Sequence, residues 1–216
     1  MDSNVYVDGL NLYYGSLRNS PYKWLDIARL CQILYPTIQI KRIRYFTARV
    51  KGKLDPDAPR RQSVDLRAHK TIPDLSIHEG HFTDWPIRIP RWPLKYTINT
   101  LGVRKYKMCM VYKIGEKGSD VNLATYLLDD CFDKDFDEAV VISNDSDLEL
   151  PVELVVTKYN KKVHVVNPQP RNSLSNNLYK VASSHLPEIN RTVLAAAQFP
   201  SILTDAKGAF SKPSTW

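Results

Sequence analysis

The stretch Ala139-Val140-Val141-Ile142-Ser143-Asn144-Asp145-Ser146-Asp147 decides the fold of this chain. Its first half is a continuous apolar run rich in β-branched residues, without the polar alternation of a half-exposed strand. Such a run is typical of a parallel strand that helices cover on both faces. Its second half places two carboxylates directly after the strand, where the functional crevice of an open α/β sheet lies.

The same succession of strand and helix recurs on both sides of this stretch. Val5-Tyr6-Val7 is a β-rich run that ends at Asp8, Ile40 to Val50 contains a second strand, and Lys162 to Val166 is a final one. Segments with apolar residues at helical spacing lie between them. Strands that alternate with helices predict an α/β fold with a doubly wound, mostly parallel sheet.

Length and composition favour one compact domain. The chain has 216 residues, of which 43% are hydrophobic and 25% charged, enough to bury a substantial core. We place the domain at residues 1–186. The Pro-rich sequence around Trp85 to Pro93 predicts an irregular insertion at about residues 84–105, and residues 187–216, where periodicity fades, form a C-terminal extension.

Charge and targeting features suggest the kind of partner. A net charge of +7 and a pI near 9.2 favour a polyanion such as nucleic acid, although many basic proteins bind nothing specific. No segment approaches the roughly 18 apolar residues of a membrane helix, so we expect no membrane partner and a cytoplasmic location. The three cysteines are widely spaced, which indicates reduced, buried thiols.

Four aspartates are placed to share one edge of the predicted sheet. Asp8 follows the first strand, Asp120 opens a helix, and Asp145 and Asp147 follow the strongest strand. Clustered carboxylates raise one another's pKa unless a cation neutralises them, and their hard oxygens suit Mg²⁺ or Mn²⁺. Such a site fits phosphodiester hydrolysis. Each aspartate alone has an ordinary alternative as a helix cap or turn residue.

Three blocks in this order resemble the signature of NYN domains, a branch of the PIN-like nucleases. They read VYVDGLNLYYG (residues 5–15), KGSDVNLATYLL (117–128) and AVVISNDSDLELPVELV (139–155). The resemblance implies a three-layer, PIN-like Rossmannoid fold and RNA cleavage with Mg²⁺ or Mn²⁺. It assigns the metal and catalytic roles to Asp8, Asp120, Asp145 and Asp147, with Asn11 beside the first acid.

Two positions depart from that family pattern. Asn144 stands where the third block usually has glycine, and Tyr126 stands where the second block often has an acid. Neither departure removes one of the four matched aspartates.

Basic and aromatic residues follow one another between a predicted third strand, Leu75 to Phe82, and the second block. They could grip phosphates and stack unpaired bases, or the tryptophans could simply pin a loop to the body. The predicted nucleic-acid-binding residues are Arg88, Arg91, Trp92, Lys95, Arg104, Lys105, Lys113 and Lys117. His69, His78 and His81 lack the spacing of a zinc motif and are interpreted as core or surface residues.

The leading hypothesis is a metal-dependent endoribonuclease acting on single-stranded or structured RNA. The alternative is an RNA-binding module of the same fold that has lost useful catalysis. A third reading, a small-molecule reaction in the acidic crevice, has no G-x-G-x-x-G dinucleotide motif to support it. The sequence leaves open whether the chain forms a homo-oligomer.

Overall fold

The computed structural model describes residues 2–170 and 174–216 and is built around a seven-stranded sheet. The strand order is β6-β3-β2-β1-β7-β8-β9, and every neighbouring pair is parallel except β3 and β6. The strands of this sheet are β1 (Asp2–Asp8), β2 (Gln39–Arg49), β3 (Leu75–Pro90), β6 (Met108–Lys117), β7 (Glu138–Ile142), β8 (Lys162–Val166) and β9 (Ser184–Leu186).

Helices cover both faces of this sheet and complete a three-layer α/β fold. They are α1 (Gly9–Leu12), which continues as a π-helical turn (Tyr13–Leu17), α2 (Ile27–Leu34), α3 (Ala58–His69), α4 (Ser119–Phe132), α5 (Glu149–Thr157), α6 (Asn176–Val181) and α7 (Arg191–Ala196). A 3-10 turn, Ser146–Leu148, precedes α5. The predicted fold class is therefore confirmed.

Alternating residues of the central strands feed two separate hydrophobic cores. Val5 and Val7 of β1 face a core shared with α2 and α3, whereas Tyr6 faces a core shared with α4, α5 and α6. Residues Ala139 to Ile142 of β7 have 0% exposure, as expected for a parallel strand covered on both faces. The two cores fix β1 and β7 side by side.

The segment at residues 84–105 is mostly regular, so the expectation of an irregular insertion was wrong there. Strand β3 continues to Pro90 and pairs with β6 from His81 to Pro90, while β4 (Tyr96–Ile98) pairs with β5 (Arg104–Tyr106) near the tip. Beyond His81, β2 no longer borders β3. Prolines lack an N–H donor, and a two-stranded ribbon tolerates them because one side of each strand needs no partner. We call residues 82–117 the β-arm.

The last residues pack onto the core that contains α2 and α3. Strands β10 (Ile202–Asp205) and β11 (Gly208–Ser211) form a hairpin, and Phe199 and Trp216 pack edge-on against the buried Trp24. The Trp24 indole N–H donates to the Pro200 carbonyl at 2.8 Å. No helix in the described part of the chain is long and apolar enough to cross a bilayer.

Candidate functional site

Asp8 lies at the centre of the acidic edge. It is the last residue of β1, it is only 3% exposed, and it caps α1 by accepting a hydrogen bond from the Asn11 backbone N–H at 2.8 Å. The Ser143 hydroxyl donates to its second oxygen at 2.9 Å. Both carboxylate oxygens are therefore held in place by neighbouring chain segments.

Ser143 links Asp8 to Asp145. Its hydroxyl oxygen accepts a hydrogen bond from the Asp145 N–H at 3.1 Å, while the same hydroxyl donates its hydrogen bond to Asp8. Asp145 in turn caps the 3-10 turn, because its side chain accepts from the Asp147 N–H at 3.0 Å. Since β1 and β7 are parallel neighbours, both acids reach the same edge of the sheet.

Asp120 reaches this edge from the first turn of α4. Gly118, at φ +100°, turns the chain from β6 into the helix, and Glu116 accepts a hydrogen bond from the Ser119 N–H at 2.9 Å. An added Cβ on Gly80 would collide with the Glu116 carboxylate, so β3 approaches this turn closely. Glu116 is a fifth acid that the sequence motifs did not single out.

The carboxyls interact through their charges. Burial raises the pKa of Asp8 to about 7, with further increases from Asp120 and Asp145, although the hydrogen bonds from Asn11 and Ser143 oppose the shift. Burial also raises the pKa of Asp120, and Asp145, Glu116 and Asp147 add to the effect. Like charges that raise one another's pKa are the electrostatic signature of a site that a cation would relieve.

The chemistry of these groups fits a hard divalent cation, since carboxylate oxygens are the donors that Mg²⁺ and Mn²⁺ prefer. The side chains are close enough to influence one another's protonation. However, within residues 2–170 and 174–216 no three His, Cys, Asp or Glu side chains already form a metal-binding group. A cation would therefore be held partly through water or after small side-chain movements.

Asn11 and Asp147 have different surroundings. The Asn11 side-chain oxygen accepts hydrogen bonds from the Asn144 N–H at 3.3 Å and from the Gln169 amide at 3.2 Å. Asn11 thus ties the loops after β7 and β8 to the end of β1. Asp147 is exposed on the 3-10 turn.

The two departures from the family pattern have structural partners. The Asn144 side-chain oxygen accepts from the Ser175 N–H at 2.8 Å and from the Tyr179 hydroxyl at 3.3 Å, which anchors the start of α6. The Tyr126 ring packs 4.3 Å from the His78 ring, and the Arg44 guanidinium lies 4.4 Å from its centre. Neither residue takes the place of an aspartate at the acidic edge.

The predicted nucleic-acid-binding residues all lie along the β-arm rather than at the acidic edge itself. Arg88 is on β3, Arg104 and Lys105 are on β5, and Lys113 and Lys117 are on β6. Trp92 is 83% exposed, which excludes the alternative that it pins a loop to the body. Arg91 and Lys95 flank it in the turn region, and Lys117 is the arm residue nearest in sequence to Asp120.

Sequence reasoning also missed Ser143 and Gln169, which hold Asp8 and Asn11. Ser143 lies inside the third block, at the end of the strand, so its position next to Asp145 was a usable signal. Gln169 follows β8 in a loop, and only the tertiary fold brings it to Asn11.

Three comparisons place these features among known proteins. The family model described as the NYN domain matches residues 3–189. The chain is 30% identical to a protein of Pseudomonas putida (strain DSM 28022 / S16) named 6-hydroxy-3-succinoylpyridine 3-monooxygenase HspA, over 99% of this chain and 75% of that protein. A crystal structure from Vibrio parahaemolyticus RIMD 2210633, titled as a protein of unknown function, shares the fold with a TM-score of 0.53 and 17% identity, over 88% of this chain and 93% of that one.

Proposed function

Since the chain belongs to the NYN domain family, as its sequence motifs predict, we propose that it is a metal-dependent endoribonuclease that hydrolyses RNA phosphodiester bonds at the acidic edge. The observation that carries this proposal is the convergence of Asp8, Asp120 and Asp145, where burial and the neighbouring carboxylates raise the pKa of Asp8 and of Asp120. Such a cluster is costly for the fold unless it serves to bind a cation.

Mg²⁺ or Mn²⁺ would be held by Asp8, Asp120 and Asp145, with Asp147 contributing through water from its exposed position. When bound, the ion would lower the pKa of a water molecule for attack on phosphorus and stabilise charge on the phosphate. Ser143 and the Asn11 N–H keep Asp8 oriented towards this edge. Asn11 acts as a positioning residue, because its side-chain oxygen is occupied by neighbouring loops.

The β-arm would bind the RNA that the acidic edge cuts. Its exposed basic residues attract phosphates, and exposed Trp92 offers a face on which an unpaired base can stack. The Arg104 guanidinium already lies 4.7 Å from the centre of the Tyr96 ring, so charge and aromatic surface alternate on the arm. This arrangement favours single-stranded RNA, or unpaired segments of structured RNA, over a regular duplex.

The test is cleavage of single-stranded RNA, structured RNA and DNA with Mg²⁺, Mn²⁺ or a chelator. We expect metal-dependent cleavage of RNA that Asp145→Asn abolishes. Asp133→Asn is the matched control, because Asp133 is exposed at the other end of α4. Cleavage that survives both chelation and Asp145→Asn would refute the mechanism.

The alternative of an RNA-binding module without useful catalysis draws on the absence of a ready three-ligand group in the described residues. Under that alternative, RNA binding persists and no metal restores cleavage. A filter-binding assay run beside the cleavage assay separates the two.

The relative from Pseudomonas putida suggests a second candidate, oxygenation of a hydroxypyridine acid. The observation in its favour is a cavity of about 320 Å³ beside the acidic edge, within the range of small-molecule sites. Oxygen consumption with a hydroxypyridine acid and a two-electron reductant would identify this activity. RNA cleavage without such consumption would exclude it.

A further inference from the structure

The cavity of about 320 Å³ lies between α1, the end of β2, α3 and the base of the β-arm. It adjoins the acidic edge, because Gly9, the residue after Asp8, lines it. An added Cβ on Gly9 would lie 2.5 Å from the Tyr45 ring, so the turn that carries Asp8 packs directly on a wall of the cavity.

Two buried side-chain atoms of residues that line this cavity have no hydrogen-bond partner. They are Asp65 Oδ1 and His69 Nδ1, and the described residues contain only one other such side-chain atom, on Asn4. Asp65 and His69 are four residues apart on α3 and therefore share a face, with His69 Nδ1 3.8 Å from Asp65 Oδ2. Both atoms are almost inaccessible in the free protein, so a ligand in the cavity would pair with them after small side-chain rotations, which would relieve the cost of burying polar groups without partners.

The protonation states of the two groups are complementary. Burial raises the pKa of Asp65 to about 8, which leaves a neutral carboxyl that can donate at neutral pH. Burial lowers the pKa of His69 to about 4, so its imidazole is neutral. Because His69 Nε2 lies 3.2 Å from the Leu25 carbonyl, Nε2 carries the proton and Nδ1 is the acceptor. The cavity thus offers a donor and acceptors side by side.

The remaining walls suit a flat ring with a negative substituent. Tyr13, Tyr45 and Phe82 line the cavity, and the Tyr45 and His69 ring centres are 4.6 Å apart. Five cationic residues also line it, namely Arg18, Lys23, Lys51, Lys53 and Arg61. Three are paired with Asp84 or Asp55. No carboxylate in the described part of the chain lies within 4.0 Å of Arg18 or Lys23.

We propose that this cavity binds a planar nitrogen heteroaromatic ring that has a hydrogen-bond donor and acceptor on one edge and carries an anionic group. The ring edge pairs with Asp65 and His69, the faces contact Tyr13 and Tyr45, and the anion lies near Arg18 and Lys23. Two sources share this chemistry: a nucleotide of an RNA strand, or a free heteroaromatic acid. The nucleotide source rests on the proposed ribonuclease function, whereas binding of the free acid does not.

The experiment is an NMR and calorimetric titration in the presence of chelator, so that neither cleavage nor cation binding contributes. The probes are uridine 5′-monophosphate, 6-hydroxypyridine-3-carboxylate and benzoate, which has a ring and an anion but no donor and acceptor edge. We expect at least one of the first two to bind, benzoate to bind at least about tenfold more weakly, and the shifts to centre on Tyr13, Tyr45 and His69.

Substitutions at two positions, Asp65 and Arg18, test the assignment of groups. Asp65→Leu is expected to weaken binding by about tenfold or more, while Asp65→Asn, which keeps a donor and an acceptor, retains most of it. Arg18→Gln, at an exposed position, should weaken binding of the anionic probes by several-fold. Asp57→Asn is the matched control, since Asp57 is exposed at the start of the same helix and does not line the cavity.

Absence of binding by both heteroaromatic probes would overturn the proposal, as would affinities that neither Asp65→Leu nor Arg18→Gln changes. Binding of 6-hydroxypyridine-3-carboxylate alone would uphold the cavity and assign it to the free acid. Failure of RNA cleavage has no bearing on this titration, so the two proposals fail separately.

Discussion

Asp8 and Asp65 are both buried carboxyls with a raised pKa, but they are buried in different ways. Asp8 accepts hydrogen bonds from the Asn11 N–H and the Ser143 hydroxyl and is surrounded by other acids. Asp65 has one oxygen without any partner, and burial alone raises its pKa. The comparison teaches that a raised pKa has no single meaning: a cation would satisfy the first group, and a neutral donor and acceptor the second.

The largest expected difference between substitutions at Asp8 and at Asp65 is in the rate of RNA cleavage. Asp8→Asn should lower the cleavage rate by at least about 100-fold, because it removes a charged ligand from the acidic edge. Asp65→Asn should change cleavage of a substrate by less than about tenfold, since it keeps the hydrogen-bonding groups of the cavity. Equal losses in single-turnover assays would show that the two regions act as one site.

A smaller difference between the acidic edge and the cavity is expected in the stability that Mg²⁺ adds to the fold. Mg²⁺ at about 100 times its Kd would stabilise the wild-type fold by about 2.7 kcal/mol, and Asp8→Asn should lose most of that gain while Asp65→Asn keeps it. Thermal unfolding with and without Mg²⁺ measures this. An undiminished gain in Asp8→Asn would place the cation elsewhere.

The stability of the metal-free protein should depend on pH at both positions. A carboxyl whose folded pKa is raised contributes stability that is fully present below its ordinary pKa of 3.8 and is lost as pH rises to the folded pKa, about 7 for Asp8 and about 8 for Asp65. In an Asp8→Asn background, Asp65→Asn should therefore remove a loss of stability between about pH 4 and pH 8 on the order of 5 kcal/mol. Denaturant unfolding at several pH values tests it, and identical pH profiles would contradict the burial of Asp65.

The smallest expected effect concerns the β-arm, which lies outside both regions. Lys105→Gln should weaken RNA binding a few-fold and reduce the slope of log affinity against log salt by about 1, because one phosphate contact is lost. Lys162→Gln is the matched control, since Lys162 is exposed at the amino end of β8, whereas the acids follow the carboxyl ends of β1 and β7. If both variants gave the same salt slope, the arm would not be the RNA-binding surface.

The acidic edge was more accessible to sequence reasoning than the cavity. The continuous apolar run before Ser143 identified a buried parallel strand, and the rule that strand ends converge then brought Asp8 and Asp145 together. Asp65 and His69 gave no comparable signal, because they lie in a polar helix with little amphipathic pattern. Only the packing of α3 on the core that it shares with Tyr45 of β2 buries them.

The β-arm was predicted wrongly because its local sequence is misleading, whereas the sequence around Asp65 and His69 gives no signal at all. Its prolines favour irregular structure in any local reading, yet Pro86 pairs opposite Tyr112 and Pro90 opposite Met108 in a regular ribbon. Local sequence cannot reveal that β2 ends at Arg49, opposite His81, and leaves one side of β3 open beyond that point. The tertiary arrangement, rather than residue preference, decides the outcome there.

Strand β6 forms one border of the sheet, and its outer row of backbone N–H and C=O groups faces no other strand of the sheet. Such a border is a template for aggregation by strand addition, and exposed Met110, Tyr112 and Ile114 would make that addition favourable. Lys113 and Lys117 on the same strand oppose it, because stacking two copies of the border would bring like charges together. The lysines of the arm therefore act as gatekeepers of solubility, and neutralising them carries a risk of precipitation that is independent of any effect on RNA.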